Sequence, residues 1–181
     1  MESLRNKLGV VLHTPHLFSG SIRENIRYGR DAATEEEIKD SLKLIGGEDY
    51  IQRLDEEVGE GGDKLSLGER QLVSFARAVL ANPRIFIMDE ATSSVDTLTE
   101  ARIQSGINEM IKGRTSIIIA HRLSTIKNCD RILVVTKGEI IEDGSHSELM
   151  VKKGFYYNLY TRQLREQRED EIMNVVDYVV P

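Results

Sequence analysis

Cysteine occurs once in the 181 residues, at Cys129, so no disulfide can form within the chain and a reducing compartment is the natural expectation. An excess of positive charge is lacking too. The formal net charge is −6, which gives no electrostatic case for a nucleic-acid partner. No apolar run approaches the roughly 20 residues of a membrane-spanning helix, and nothing ahead of the first strand reads as a secretory signal. The chain is therefore expected to be soluble, which leaves a membrane-embedded partner open. Internal repeats and low-complexity linkers are absent as well. What is present is an ordinary globular balance, 40% hydrophobic and 30% charged, on a length that suits one domain with a sizeable core.

Short β-branched runs alternate with helical patterns along the chain. Lys7–Leu12, Arg84–Asp89, Thr115–Ala120 and Arg131–Thr136 read as parallel strands covered on both faces, because they are apolar almost throughout. The stretch EIIEDG after Lys137-Gly138 reads as a short hairpin partner at the sheet edge. Helix starts are marked by a Ser or Thr followed three residues later by Glu. The pairs are Ser21/Glu24, Thr34/Glu37, Ser66/Glu69, Thr97/Glu100 and Ser145/Glu148. After Ser66 an apolar face of Leu72, Phe75, Ala76 and Val79 runs until Asn82-Pro83 stops it. Ile103, Ile107, Met110 and Ile111 give a second such face before Gly113. This order predicts an α/β fold: a mostly parallel sheet flanked by helices, with a helical subdomain at about residues 22–82 inserted after the first strand.

In an open parallel sheet, ligands bind beyond the carboxyl ends of the strands. Polar residues stand at those ends here: His13 after the first run, Asp89-Glu90 after RIFIM, and His121 after SIIIA. Two adjacent carboxylates resist desolvation and repel each other, so a cation or water should lie beyond Asp89 and Glu90. Alternatively the strand simply leaves the core and two solvated acids begin a loop, and each histidine taken alone could be structural. The stretch LSLGERQ, Leu65 to Gln71, sets a Ser and a Gly at a helix start. Exposed N–H groups and the helix dipole make that end receptive to a phosphate, although a plain Ser66/Glu69 cap accounts for the same residues.

Taken in order, these segments resemble the nucleotide-binding domain of ATP-binding-cassette (ABC) transporters of the exporter type. LSLGERQ is similar to the family's signature motif, IFIMDE to its Walker B strand with the following glutamate, Ser93–Asp96 to its D-loop, and IIIAHR to its switch-histidine loop. LFSGSIRENI, Leu17 to Ile26, resembles the segment after the Q-loop, and VGEGGDKLS, Val58 to Ser66, the exporter-specific stretch ahead of the signature. The likeness covers residues 4 to about 163. Its ordered motifs are far more specific than any one of them.

The resemblance implies a P-loop NTPase-like fold that binds and hydrolyses ATP with Mg²⁺ and powers transport by dimerising around the nucleotide. Asp89 would hold Mg²⁺, Glu90 would act as general base on the attacking water, and His121 would bond the γ-phosphate. Ser66 and the N–H of Gly68 would grip the γ-phosphate of ATP bound on the opposite subunit, and Asp96 would couple the two sites. The implied partners are an exporter's transmembrane domain and a second nucleotide-binding domain, at the cytoplasmic face of the membrane and without nucleic acid. Residues 1–165 would form a partial domain of this type, and residues 166–181 a tail.

The chain departs from the family pattern in three places. No G-x-x-x-x-G-K-[ST] phosphate loop occurs in it. In the family that loop and its strand lie upstream of the Q-loop, so the first portion is expected to be missing, along with the adenine-stacking aromatic. The family places that strand beside the Walker B strand, so a gap is expected next to Ile85–Met88, and the isolated chain is expected to be inactive. His13 stands at the Q-loop position in place of a glutamine whose amide oxygen would serve the metal. Leu67 and Glu69 replace a Gly and a Gln of the signature, and Glu69 adds negative charge near a phosphate unless its carboxylate turns back onto Ser66. Two other readings stay open: a non-catalytic module that docks on a complete partner, and a soluble ABC ATPase of DNA-repair or chromosome type.

Overall fold

The computed structural model describes residues 7–89, 105–120 and 123–177. The chain divides into two compact units, residues 1–119 and 120–181.

The first unit is built on a three-stranded parallel sheet in the order β1 (Leu8–Val11), β2 (Ile85–Asp89), β3 (Thr115–Ile119). Leu8 pairs with Ile85 and Val11 with Met88, and Asp89 lies opposite Ile119, so the strands end at one edge. Between β1 and β2 come helices α1 (Ile22–Arg27), α2 (Glu35–Leu44) and α3 (Leu67–Ala81), and residues 105–111 are the helical turn α4 before β3. Helices α1, α2 and α3 lie within the stretch 22–82 and belong to the same unit as the sheet. Their core side chains, among them Ile26, Leu42, Leu72 and Phe75, collect with Val11, Phe86 and Met88 of the sheet. Ile107 and Met110 of α4 join the same core.

Two expectations for this sheet are corrected. Among the described residues nothing fully covers the opposite sheet face: Val10, Ile117 and Ile119 are 52, 54 and 55% exposed. An apolar run shows that both faces of a strand can be buried, but not that a layer exists to bury them. Nor is there a gap beside Ile85–Met88, since β1 and β3 pair directly with its two edges. Neighbouring parallel strands satisfy each other's N–H and C=O groups, and an open ladder would leave them unpaired.

The second unit holds α5 (Leu123–Lys127), β4 (Ile132–Thr136), β5 (Glu139–Gly144), α6 (His146–Lys152) and α7 (Phe155–Asp177). Here the structure corrects the reading of Arg131–Thr136 as a strand of the parallel sheet. β4 and β5 form their own two-stranded antiparallel sheet, with Thr136 opposite Glu139. Lys137 (φ 52°) and Gly138 (φ 83°) make the two-residue turn between them. Positive φ at both turn residues matches the twist of a hairpin, and so short a link can join only antiparallel strands. The start of α7 is tied down by Glu142, which accepts from the N–H groups of Phe155 (2.8 Å) and Tyr156 (2.7 Å).

Ser21, Thr34, Ser66 and Ser145 all form the reciprocal caps expected of them, each accepting from the N–H of the Glu three residues on while that Glu bonds back. Thr97/Glu100 lies outside the described residues. α3 stops where the sequence says it should: Asn82 takes the left-handed conformation (φ 47°), and Pro83 follows.

These caps predict an acid-sensitive fold. Bonds from the Ser21, Thr34 and Ser145 backbones hold Glu24, Glu37 and Glu148 below the usual carboxylate range. A carboxyl depressed by folding adds stability above its unfolded value, and that stability is lost as pH falls through the folded one. Melting temperature should therefore be flat down to about pH 5 and then fall steadily below about pH 4. Circular dichroism melts across that range check it. An unchanged melting temperature at about pH 3 would contradict the caps.

Candidate functional site

Register fixes one end of the site. Val11, Asp89 and Ile119 close the parallel strands at the same edge, and His13 follows β1 there as an exposed side chain. Asp89 is half-buried at the end of β2, and among the described residues no cation pairs with its carboxylate. A hard cation takes oxygen ligands, and Asp89 offers one carboxylate; among the described residues no group of three or more His, Cys, Asp or Glu side chains gathers to hold a metal ion. Glu90, Asp96 and His121 lie outside the described residues.

The other end is the start of α3. Ser66 is exposed and takes an extended conformation at the cap (φ −62°, ψ 164°). Its hydroxyl accepts from Glu69 N–H at 3.3 Å, while Ser66 N–H donates to Glu69 Oε2 at 2.7 Å. Because Ser66 takes up the Glu69 N–H, the N–H groups of Leu67 and the buried Gly68 are the first-turn donors without an acceptor among the described residues. The Glu69 carboxylate thus folds back onto the cap.

Glu69 has a second partner that the sequence did not reveal. Arg53, on the 3₁₀ turn Glu48–Arg53, donates from Nη1 to Glu69 Oε1 at 2.8 Å. The same guanidinium grips Glu56 with Nε at 2.6 Å and Nη2 at 3.0 Å, and lies 4.9 Å over the Tyr50 ring. Burial works against the Glu69 charge, but the bonds from Ser66 and Arg53 outweigh it and hold the carboxyl below its ordinary range. Burial pushes the Tyr50 hydroxyl up to about 12, with the Glu69 charge acting the same way. Arg53 lies sixteen residues from Glu69. No periodicity links them, so only the folded chain brings them together.

A third cluster joins α3 to the segment after β1. Arg77 donates to the carbonyl of Asn25 (2.8 Å), to Asn25 Oδ1 (2.8 Å) and to the carbonyl of His16 (3.0 Å). Its guanidinium lies over the rings of Phe18 (5.4 Å) and Tyr28 (5.7 Å). Those two rings stack at 4.5 Å, and both are exposed. The sequence held one hint of this role, a lone charge inside the apolar run FARAVLA.

A parallel sheet with its strand ends at one edge, flanked by helices, defines an α/β class of protein. The family model described as ABC transporter matches residues 1–93. The chain is 50% identical over 166 residues to the probable multidrug resistance ABC transporter ATP-binding/permease protein YheH of Bacillus subtilis, covering 90% of this chain and 25% of that protein. It is 46% identical over 173 residues to the ATP-dependent lipid A-core flippase of Syntrophus aciditrophicus, covering 93% and 29% respectively. A solved structure of a bacterial Atm1-family ABC exporter with ATP bound superimposes with a TM-score of 0.81 at 44% identity, covering 90% of this chain and 29% of the other. The chain belongs to the ABC transporter family, and it spans about a quarter of the length of these relatives.

Proposed function

We propose that residues 1–165 work as part of an ABC exporter's nucleotide-binding domain, offering their signature helix to ATP held by a second such domain. The observation that carries this is the start of α3. Ser66 is exposed and capped, the N–H of the buried Gly68 meets no acceptor among the described residues, and Glu69 is folded back onto the cap. Ser66 and Gly68 would take the γ-phosphate by charge-assisted hydrogen bonds. Asp89 would hold Mg²⁺, which supplies charge neutralisation to the phosphates when bound. Glu90 would take the proton of the attacking water, His121 would orient that water, Asp96 would couple the paired sites, and His13 would stand in the Q-loop position.

The exposed Phe18–Tyr28 pair supports a further partner, an exporter's transmembrane domain, with this chain at the cytoplasmic face of the membrane. Among the described residues no helix is long and apolar enough to cross a membrane. The 181 residues contain no phosphate loop, so alone they are expected to bind ATP weakly and not turn it over.

The test mixes the chain with the ATP-binding part of Bacillus subtilis YheH made unable to hydrolyse, with and without Mg²⁺ATP. Sedimentation should show association that requires ATP, and Ser66→Arg, which fills the anion site, should weaken it by about tenfold or more. Association indifferent to both ATP and Ser66 would sink this reading. Steady phosphate release by the chain alone, abolished in Glu90→Gln, would overturn the dependence on an outside phosphate loop.

A further inference from the structure

A carboxylate in the first turn of a helix that receives phosphate poses an electrostatic problem. The cap spends one oxygen of Glu69: Oε2 accepts from Ser66 N–H at 2.7 Å. That bond fixes where the carboxylate sits but leaves it a full negative charge, next to the donors that the phosphate must reach. The second oxygen, Oε1, is met by Arg53 Nη1 at 2.8 Å.

Arg53 is itself held from two other sides. Glu56 binds its Nε and Nη2 as a two-toothed pair, and the Tyr50 ring lies under the guanidinium at 4.9 Å. A planar fork held this way presents Nη1 in a fixed direction, which a lysine could not do. The salt bridge is only partly exposed, so solvent screens it less than an open surface pair.

We infer that Arg53 is a positioning residue for the signature helix: it pins and neutralises the Glu69 carboxylate, so that the Ser66–Gly68 turn stays receptive to the γ-phosphate. This rests on the reading of that turn as the contact to a partner's ATP. Without Arg53, the Glu69 charge would stand beside that turn with no guanidinium to offset it. The charge that threatens binding belongs to Glu69, so the need for Arg53 should vanish once that charge is gone. A purely structural brace would be needed whether or not residue 69 were charged.

The contrast gives the experiment. The ATP-dependent association with the YheH ATP-binding part is measured for the parent chain, Arg53→Ala, Glu69→Gln and the double variant, with circular dichroism melts confirming that each is folded. Arg53→Ala should weaken association of the parent by about tenfold. In the Glu69→Gln background the same change should alter it by less than about twofold. The tenfold loss should also shrink as salt is raised, since it arises from charge. Arg53→Gln gives the same contrast should Arg53→Ala fail to fold. Equal losses in both backgrounds, or no loss in the parent, overturn the proposal. If the parent chain itself shows no ATP-dependent association, the signature reading fails instead.

Discussion

Replacing Glu90 by Gln, once a phosphate loop completes the site, is expected to slow ATP hydrolysis by about 10²–10⁴-fold while nucleotide binding stays within about twofold of the parent. The amide has the shape of the carboxylate but cannot accept the proton of the attacking water. Binding would be carried by the phosphate loop, the metal and the signature turn, none of which uses Glu90. Its neighbour Asp89, at the end of β2, would keep its charge for the metal, so on this proposal the two adjacent acids would divide the work. His121→Ala should also slow the chemical step, by acting on the orientation of the same water. Phosphate release and nucleotide affinity measured side by side decide the matter. Hydrolysis at the parental rate in Glu90→Gln would remove Glu90 from the general-base role.

The second large effect is on stability. Arg77→Ala should destabilise the first unit by about 2–4 kcal/mol, because hydrogen bonds to a charged donor are worth about 1.5–3 kcal/mol and several are lost together. Asn25 is 2% exposed, and both its backbone carbonyl and its Oδ1 accept from this guanidinium. Removing the donor strips each of those acceptors of a partner. Burial lowers the Arg77 pKa, and among the described residues no carboxylate faces it. Its contribution therefore lies in satisfying carbonyls and packing over the rings of Phe18 and Tyr28, not in an ion pair. Arg77→Lys should recover only part of the loss, since an ammonium cannot reach His16 and Asn25 in the same plane. Urea unfolding, read as a midpoint shift at constant slope, measures both. A cost under about 1 kcal/mol for Arg77→Ala would show that α3 and the His16–Phe18 segment are held together by other contacts.

Much of the fold was legible because the signals were local. A Ser or Thr with a Glu three residues on closes its cap within one turn, and Ser21, Thr34, Ser66 and Ser145 each did so without reference to the rest of the chain. The same holds for the stop at Asn82-Pro83 and for the runs that became β1, β2 and β3. The reading of Arg131–Thr136 went astray because an apolar β-branched run says strand but not partner. The deciding signal was the adjacent Lys137-Gly138, whose positive φ angles force an antiparallel return.

The sequence by itself determined the class of the protein. The ordered motifs from LFSGSIRENI to IIIAHR mark the family. The tertiary structure alone decided which partners those residues meet. It closed β2 between β1 and β3, left Val10, Ile117 and Ile119 half-exposed on one face, folded Glu69 onto its own cap, and brought Arg53 to Glu69 and Arg77 to Asn25. The reason is physical. A cap or a turn is specified by neighbours a few bonds away, whereas a layer of packing or an ion pair between distant residues depends on where the whole chain has room to put them.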